Sequence, residues 1–390
     1  MKPKISYYLS HPIQYFSPLL REMNKEFDLH VYYFSDASVR GNVDVGFGRE
    51  VKWDMPLLEG YSHTFLKNLS RRKSLSNRMW DAVNPGVAKT LFKDSSSIVI
   101  VNGWSYFSNL LTILTAKFLG KKVWLRAENP LNQELLKSKR TLAVKKLILQ
   151  FLLFPLINKF LYIGSESKKF FEYYGAKRAQ LVYTPYAVDN DWFQRQAYCL
   201  RDKEEVKEKL GLPGNKKIIL LSGKYIEKKR PLDLLEAFRL LDRADTMLVM
   251  VGEGVLRSEM EEYIKKHGLE NVVLTGFINQ SEITKYYAVA DVFVMCSGPG
   301  ETWGLSVNEA MNFALPVVVS KTCGCTADLV HKGDNGFVFE EGDVKALSEA
   351  LKKLLVDETL RVKYGAASLR IINDFSIKAI VRNMEGAVTA

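Results

Sequence analysis

Short apolar runs and stretches with helical spacing alternate along this chain, and the alternation starts afresh past its midpoint. Lys4–Leu9 reads as a first strand, His11–Phe16 as the loop after it, and Ser17–Asn24 as a helix leading to a strand at Leu29–Phe34. Ser97–Val101 (SIVIV) is a continuous apolar strand. A helix over Asn109–Leu119 joins it to a strand over Lys122–Arg126, and strands at Phe160–Ile163 and Leu181–Tyr183 follow. Gln194–Gly214 is a charged helical connector. The pattern then restarts with Ile218–Gly223, an amphipathic helix over Leu232–Leu241, and a strand over Met247–Val251. A helix to His267, a strand at Val272–Leu274, a helix over Glu282–Val289 and a strand at Val292–Met295 come next. Val317–Ser320 and Val338–Phe339 close the second sheet before a helix over Ala346–Leu355. Continuous apolar strands joined by helices predict parallel sheets covered on both faces, with ligands bound beyond the carboxyl ends of the strands. The expected fold class is α/β, with two Rossmann-like doubly wound domains over residues 1–195 and 196–370 and a helix in 371–390.

Two stretches do not fit the alternation. Asp36–Asn77 is poorly periodic and carries the basic cluster Lys67, Arg71, Arg72, Lys73 and Arg78, as functional loops often do. Leu135–Phe160 is basic and then apolar, with Lys137, Lys139, Arg140, Lys145 and Lys146 leading into LILQFLLFPLINKF. It reads either as a core helix of the first sheet or as a surface helix resting on anionic lipid. Its apolar run, Leu147–Ile157, contains Gln150 and Pro155 and falls short of the ~18 residues that span a bilayer.

Composition sharpens this picture. A chain of 390 residues, 47% hydrophobic and 25% charged, supports two globular cores and excludes a disordered protein. The net charge of +11 resides in the first half, where residues 1–200 hold 29 Lys+Arg against 16 Asp+Glu, while 201–390 hold 26 against 28. Such asymmetry points to an anionic partner for the first half. Cys199, Cys296, Cys323 and Cys325 neither form a disulfide framework nor complete a metal site, and are read as reduced thiols. With no apolar signal core after Met1, the expected location is cytoplasmic, at most peripheral at the inner face of a membrane.

The stretch Ser297–Pro316 places Glu301 and Glu309 eight positions apart. If both were helical they would share a face. Alternatively Glu301 lies in a loop and Glu309 in the helix that the loop opens, so that the N–H groups of Trp303–Leu305 form a ready phosphate site. The plainest alternative is a capped helix with two solvated glutamates. Three further motifs precede it: Gly223-Lys224 with Lys229, Gly252-Glu253-Gly254 after an apolar strand, and Gly276-Phe277 after the next.

In this order, the segment from about Lys216 to Leu355 resembles glycosyltransferase family 4, the retaining nucleotide-sugar transferases with the GT-B fold. The resemblance implies two domains facing across a cleft, with the donor on the C-terminal one. Lys224 and Lys229 would neutralise the leaving diphosphate, and Glu301 would hold the sugar and steady charge at its anomeric carbon. Glu309 would accept ribose hydroxyls. Gly223, Gly252, Gly254, Trp303, Gly304 and Leu305 would approach the donor, and Phe277 and Ile278 would border its base. His11, Gln14, Asn102, Arg126, Glu128 and Ser165 would form the acceptor or sugar side. The implied partners are a nucleotide-sugar donor, a sugar or lipid-linked acceptor and an anionic membrane surface, with no metal, cofactor or nucleic acid. The last helix resembles one that returns to the N-terminal domain.

The chain also departs from the pattern. Lys224 stands where an arginine is usual, exchanging a two-pronged contact for a point charge. The glycine-rich turn is replaced by His11–Phe16, the usual histidine by Glu128 or Arg126, and the Asn-Gly turn by Tyr186-Ala187 within Pro185–Asp189. Competing readings are an epimerase or phosphorylase on the same fold, and a non-catalytic nucleic-acid-binding module in the basic half.

Overall fold

The computed structural model describes residues 2–39, 43–44, 49–50, 53–71, 75 and 78–389; Arg72 and Lys73 of the basic cluster lie outside them. The first strands are β1 (Lys4–Leu9), β2 (Asp28–Tyr33), the short antiparallel pair β3 (Val43–Asp44) and β4 (Arg49–Glu50), and β5 (Ser62–Phe65). They are followed by β6 (Ile98–Asn102), β7 (Lys122–Ala127), β8 (Lys159–Tyr162) and β9 (Leu181–Tyr183). The helices among them are α1 (Phe16–Glu26), α2 (Gly86–Lys93), α3 (Phe107–Phe118), α4 (Leu131–Glu134), α5 (Lys139–Leu147) and α6 (Ser165–Tyr173). Seven of these strands form one parallel sheet in the order β5-β2-β1-β6-β7-β8-β9. Every side chain from Ile98 to Val101 is buried, because this strand packs helices on both faces.

The second half contributes β10 (Lys217–Ser222), β11 (Thr246–Val251), β12 (Val272–Leu274), β13 (Val292–Met295), β14 (Val317–Ser320) and β15 (Gly336–Phe339). Its helices are α7 (Asn190–Cys199), α8 (Lys203–Lys209), α9 (Pro231–Leu241), α10 (Arg257–His267), α11 (Gln280–Val289) and α12 (Leu305–Asn312). After them come α13 (Thr326–Leu329), α14 (Val344–Val356), α15 (Glu358–Ile372) and finally α16 (Ile377–Thr389). The sheet is parallel, in the order β12-β11-β10-β13-β14-β15. Both sheets reverse their strand order once, at β1/β6 and at β10/β13. Such a switch point opens a crevice at the carboxyl ends of the strands, where the candidate residues lie.

Contacts divide the chain into two compact units: residues 1–42, 56–186 and 377–390, and residues 43–55 and 187–376. The first unit thus takes its last helix from the far end of the chain. Ile380, Val381 and Met384 of α16 are buried, and Asn383 Nδ2 donates to the carbonyl of Tyr183 on β9 at 2.9 Å. In the second unit, Asn190 ties the start of α7 to the end of α15 through the carbonyls of Ile372 and Phe375 at 3.0 and 3.1 Å.

The segment Leu135–Phe160 is not a core helix. It breaks into α5, a π-helical turn over Ile148–Leu153 and a 3-10 turn over Phe154–Leu156, with Pro155 ending the regular run. No residue of α5 is buried, and in the turn after it only Leu149 and Leu153 reach the core.

Candidate functional site

Strand β10 ends at Ser222, and the loop after it runs closely beside the loop after β11. Gly252 lies where a Cβ would come within 1.9 Å of the Gly223 carbonyl oxygen, so only glycine allows the two strand ends this proximity. Gly223 N–H donates to the Val251 carbonyl and Tyr225 N–H to that of Glu253, both at 2.9 Å. Gly254 is held as tightly, its absent Cβ pointing at the backbone of Tyr225. These turns bring Lys229 beneath the loop after β13. There its Nζ reaches Glu301 Oε2 at 2.5 Å, with Lys228 Nζ 3.6 Å from the same oxygen.

Glu301 is 8% exposed. Burial pushes its carboxyl up, but the charges of Lys229 and Lys228 outweigh burial and hold it below the usual carboxylate range. The result is an ionised carboxylate clamped to two ammonium groups at the switch point of the second sheet. Lys228 also donates to the Gly300 carbonyl at 3.2 Å, and its own carbonyl accepts from Gly298 N–H at 2.8 Å.

The two glutamates are not on one helical face. Glu301 is in the loop, and Glu309 is on α12, whose N-terminus is set by Gly304 at φ +107°. A Cβ on Gly304 would come within 2.7 Å of Met295 Sδ and 3.0 Å of Cys323 Sγ. Trp303 is turned inward, its indole N–H donating to Asn308 Oδ1 at 2.9 Å and its carbonyl accepting from Cys325 N–H at 3.0 Å, so its side chain belongs to the core beneath the helix start. Glu309 is buried and accepts from Tyr287 Oη at 2.6 Å and Gln280 Nε2 at 3.3 Å. A carboxylate accepts through both oxygens, which is the chemistry a ribose hydroxyl needs. The solvated-glutamate reading fails for both residues.

Phe277 and Ile278 follow β12, next to the Gly252–Gly276 bridge. Phe277 meets Trp53 edge-on at a centroid distance of 6.1 Å, and Asp54 Oδ2 accepts from Ser281 N–H at 3.1 Å. Lys224 lies on the same loop as Lys229 and is partly exposed. Sequence reasoning missed Lys228, Gln280, Tyr287 and Trp53. Lys228 is a direct neighbour of an assigned cation, whereas Tyr287 reads as a core position of α11 and Trp53 belongs to a segment distant in sequence.

In the first unit, Asn102 and Arg126 are register partners at the carboxyl ends of β6 and β7. Arg126 is 2% exposed, with its guanidinium carbon 5.2 Å from the rings of both Phe16 and Tyr186. Among the described residues, Arg126 Nε and Asn102 Oδ1 have no hydrogen-bond partner. Burial, and then the charge and hydrogen bond of Glu128, push the Tyr186 hydroxyl well up, so it stays protonated. His11 Nδ1 lies 3.0 Å from Ser10 Oγ after β1, in the loop that also holds Gln14, and Ser165 opens α6 after β8. All six residues therefore fall on the carboxyl edge of the sheet.

Cys323 and Cys325 have sulfurs 3.7 Å apart and are buried behind Trp303. Burial raises the Cys325 thiol, and both cysteines are packed into the core of the second unit. Among the described residues no cluster of three or more His, Cys, Asp or Glu is arranged to hold a metal ion, and no helix is long and apolar enough to cross a membrane.

Residues 202–370 match the family model described as glycosyl transferases group 1. The chain is 26% identical over 198 residues to the N-acetyl-alpha-D-glucosaminyl L-malate synthase of Bacillus anthracis, covering 50% of this chain and 51% of that one. It is 26% identical over 162 residues to the alpha-monoglucosyldiacylglycerol synthase of Acholeplasma laidlawii, covering 41% and 40%. The chain spans about half the length of the curated relatives it matches. In structure it is similar to Anabaena Alr3699/HepE in complex with UDP and glucose, with a TM-score of 0.74 at 16% identity over 99% of both chains. The two Rossmann-like parallel-sheet domains are those of the GT-B fold.

Proposed function

We propose that this chain, whose residues 202–370 match the model of the glycosyl transferases group 1, is a retaining glycosyltransferase. It would move a sugar from a nucleoside diphosphate to a sugar or lipid-linked acceptor in the synthesis of cell-surface polysaccharide, lipopolysaccharide or glycolipid. The observation that carries the reading is the buried Lys229–Glu301 pair at 2.5 Å, set at the switch point beside two glycine turns. When the glycosidic bond breaks, charge grows on the diphosphate. Lys229 and Lys224, with the N–H groups at the start of α12, would be the donors that meet it. Glu301, kept ionised by its lysines, faces the positive charge at the anomeric carbon and takes sugar hydroxyls. Glu309, oriented by Tyr287 and Gln280, takes the ribose, and Phe277 and Ile278 border the base.

The acceptor would be received by the first unit through His11, Gln14, Asn102, Arg126, Glu128 and Ser165. No protein nucleophile is needed if the leaving phosphate takes the acceptor's proton on the same face. In this reading the donor charge is met by lysines and the helix N-terminus and not by a metal. The basic first half fits work at an anionic membrane surface from the cytoplasmic side.

A thermal-shift screen across nucleotide sugars tests donor use, since a ligand that binds only the folded state raises its melting temperature. Glu309→Ala and Lys229→Ala are each expected to cut transfer by about 10²–10³-fold with the far-ultraviolet circular dichroism unchanged. Near-normal turnover in either variant would overturn the site.

A further inference from the structure

We infer that the groove between α3 and the segment from α5 to Leu156 binds the acyl chain of an anionic membrane lipid. The inference rests on the membrane-surface part of the function proposed above and is independent of the transfer chemistry. The groove has a volume of about 760 Å³ and lies wholly within the first unit. Its walls are aliphatic, with Leu110 and Leu114 from α3 facing Val144, Ile148 and Leu152. Trp104 also lines it, held in place by stacking on Phe170 at 6.0 Å.

Two features exclude an ordinary core. Leu152 is 67% exposed and Phe151, beside it, 64%, and Val144 and Leu147 are exposed as well. Solvated aliphatic side chains in such number mark an interaction surface. The segment is nevertheless fixed, because Leu149 and Leu153 are buried and Lys145 is anchored to the buried Glu134 at 2.8 Å. The wall of the groove is therefore built before any partner arrives.

The charge of the rim selects the partner. Arg140, Thr141 and Lys145 line the groove from α5, whereas the residues from Ile148 onward that line it are all leucine or isoleucine; Lys145 and Lys137 share the one carboxylate of Glu134, so the excess charge of the rim lies with Lys139, Arg140 and Lys146. Lys137, Lys139 and Lys146 stand beside them, and no acidic residue occurs between Glu134 and Glu166. From Thr141 to Leu152 the helical rise amounts to about 16 Å, so a cationic mouth and an apolar trough succeed one another along one element. That sequence fits an amphiphile with a phosphate head and a hydrocarbon chain. A second copy of this chain fits poorly, since a two-fold interface would bring these cations face to face. A nucleic acid fits poorly too, because its bases need aromatic platforms and the trough is aliphatic.

The test uses the full chain with vesicles of phosphatidylcholine alone or mixed with phosphatidylglycerol, the latter also with bromine-labelled acyl chains. Wild type is expected to float with phosphatidylglycerol vesicles only, and brominated chains are expected to quench an emission component that Trp104→Phe lacks. Arg140→Gln and Lys146→Gln should each weaken vesicle binding about fivefold. Val144→Glu/Leu152→Glu alters exposed positions only, and should abolish quenching while the melting-temperature rise with the nucleotide sugar selected by the thermal-shift screen persists. Vesicle binding with unquenched Trp104 overturns the groove and spares the membrane surface. No binding at low salt overturns both, yet leaves the donor-side reading standing. Sedimentation showing a dimer that shields Trp104 without lipid would assign the groove to a second copy and overturn the inference as well.

Discussion

At the scale of single residues, the Lys229–Glu301 pair ties stability and chemistry together. Both side chains are largely buried, so deleting the lysine leaves a buried carboxylate that has lost its 2.5 Å partner and keeps Lys228 at 3.6 Å. Breaking a buried pair costs about 3–5 kcal/mol, and the residual lysine places Lys229→Ala near the lower end. The pH dependence follows from the direction of the shift. In the wild type the depressed carboxyl contributes stability above the ordinary carboxylate range and loses it as pH falls through the folded value. In the variant, burial is less fully opposed and the carboxyl rises relative to the wild type, so the penalty is present at neutral pH and is relieved as acid protonates it. Urea melts should therefore separate the two proteins by about 3 kcal/mol at pH 7 and narrow that gap as the pH is taken below the ordinary carboxylate range. A gap that stays constant over that descent would show that the pair is not the cause. Glu301, Glu309 and Lys229 were legible in the sequence because their spacing is local. Tyr287, whose hydroxyl holds Glu309 at 2.6 Å, was not, since nothing in the apolar rhythm of α11 marks a tyrosine that points at a carboxylate.

At the scale of elements, legibility depended on how much of an element's fate is decided within it. The continuous apolar strands of both sheets could be read directly, because burial on both faces leaves a dense apolar run. Strand β5, with the sequence SHTF at a sheet edge, has no such run and was hidden in an irregular stretch. The segment from Lys137 to Phe160 left two readings open for a related reason. A basic-then-apolar run has the same composition whether a neighbour covers it or not, and only the fold shows α5 without a buried residue. Helix α12 is the opposite case, since its start is dictated at one position. Gly304 has a left-handed backbone, and a Cβ there would collide with Met295 Sδ and Cys323 Sγ. Gly304→Ala is expected to lower stability by about 1–3 kcal/mol and to weaken binding of a nucleoside diphosphate, because displacing the first turn re-aims the N–H groups of the helix start. Calorimetry together with a UDP titration checks this, and a full-strength titration despite a lowered melting temperature would remove the helix start from the donor site.

At the scale of the whole molecule, chain order and spatial order part company. The first unit is assembled from three pieces of sequence, the last of which is α16, while residues 43–55 join the second unit. Periodicity could find α16 as a helix but not its destination, because its apolar stripe of Ala379, Ile380, Val381 and Met384 would suit either sheet. The structure sends it to α1 and β9, where Asn383 caps the Tyr183 carbonyl. Each buried Ile, Val or Met on such a stripe stabilises by about 1.5–3 kcal/mol, which is large beside the 5–15 kcal/mol that holds a typical domain. Removing residues 377–390 should therefore unfold the first unit selectively. Calorimetry of the truncated chain is expected to show an early transition for residues 1–186 and a later one for the second unit. A nucleotide sugar that raises the melting temperature of the intact chain should still raise the later transition, since Gly223, Lys229, Glu301 and Glu309 all lie outside the deleted piece. One cooperative transition, shifted by that ligand as in the intact chain, would mean that α16 contributes little and that the first sheet holds its own edge.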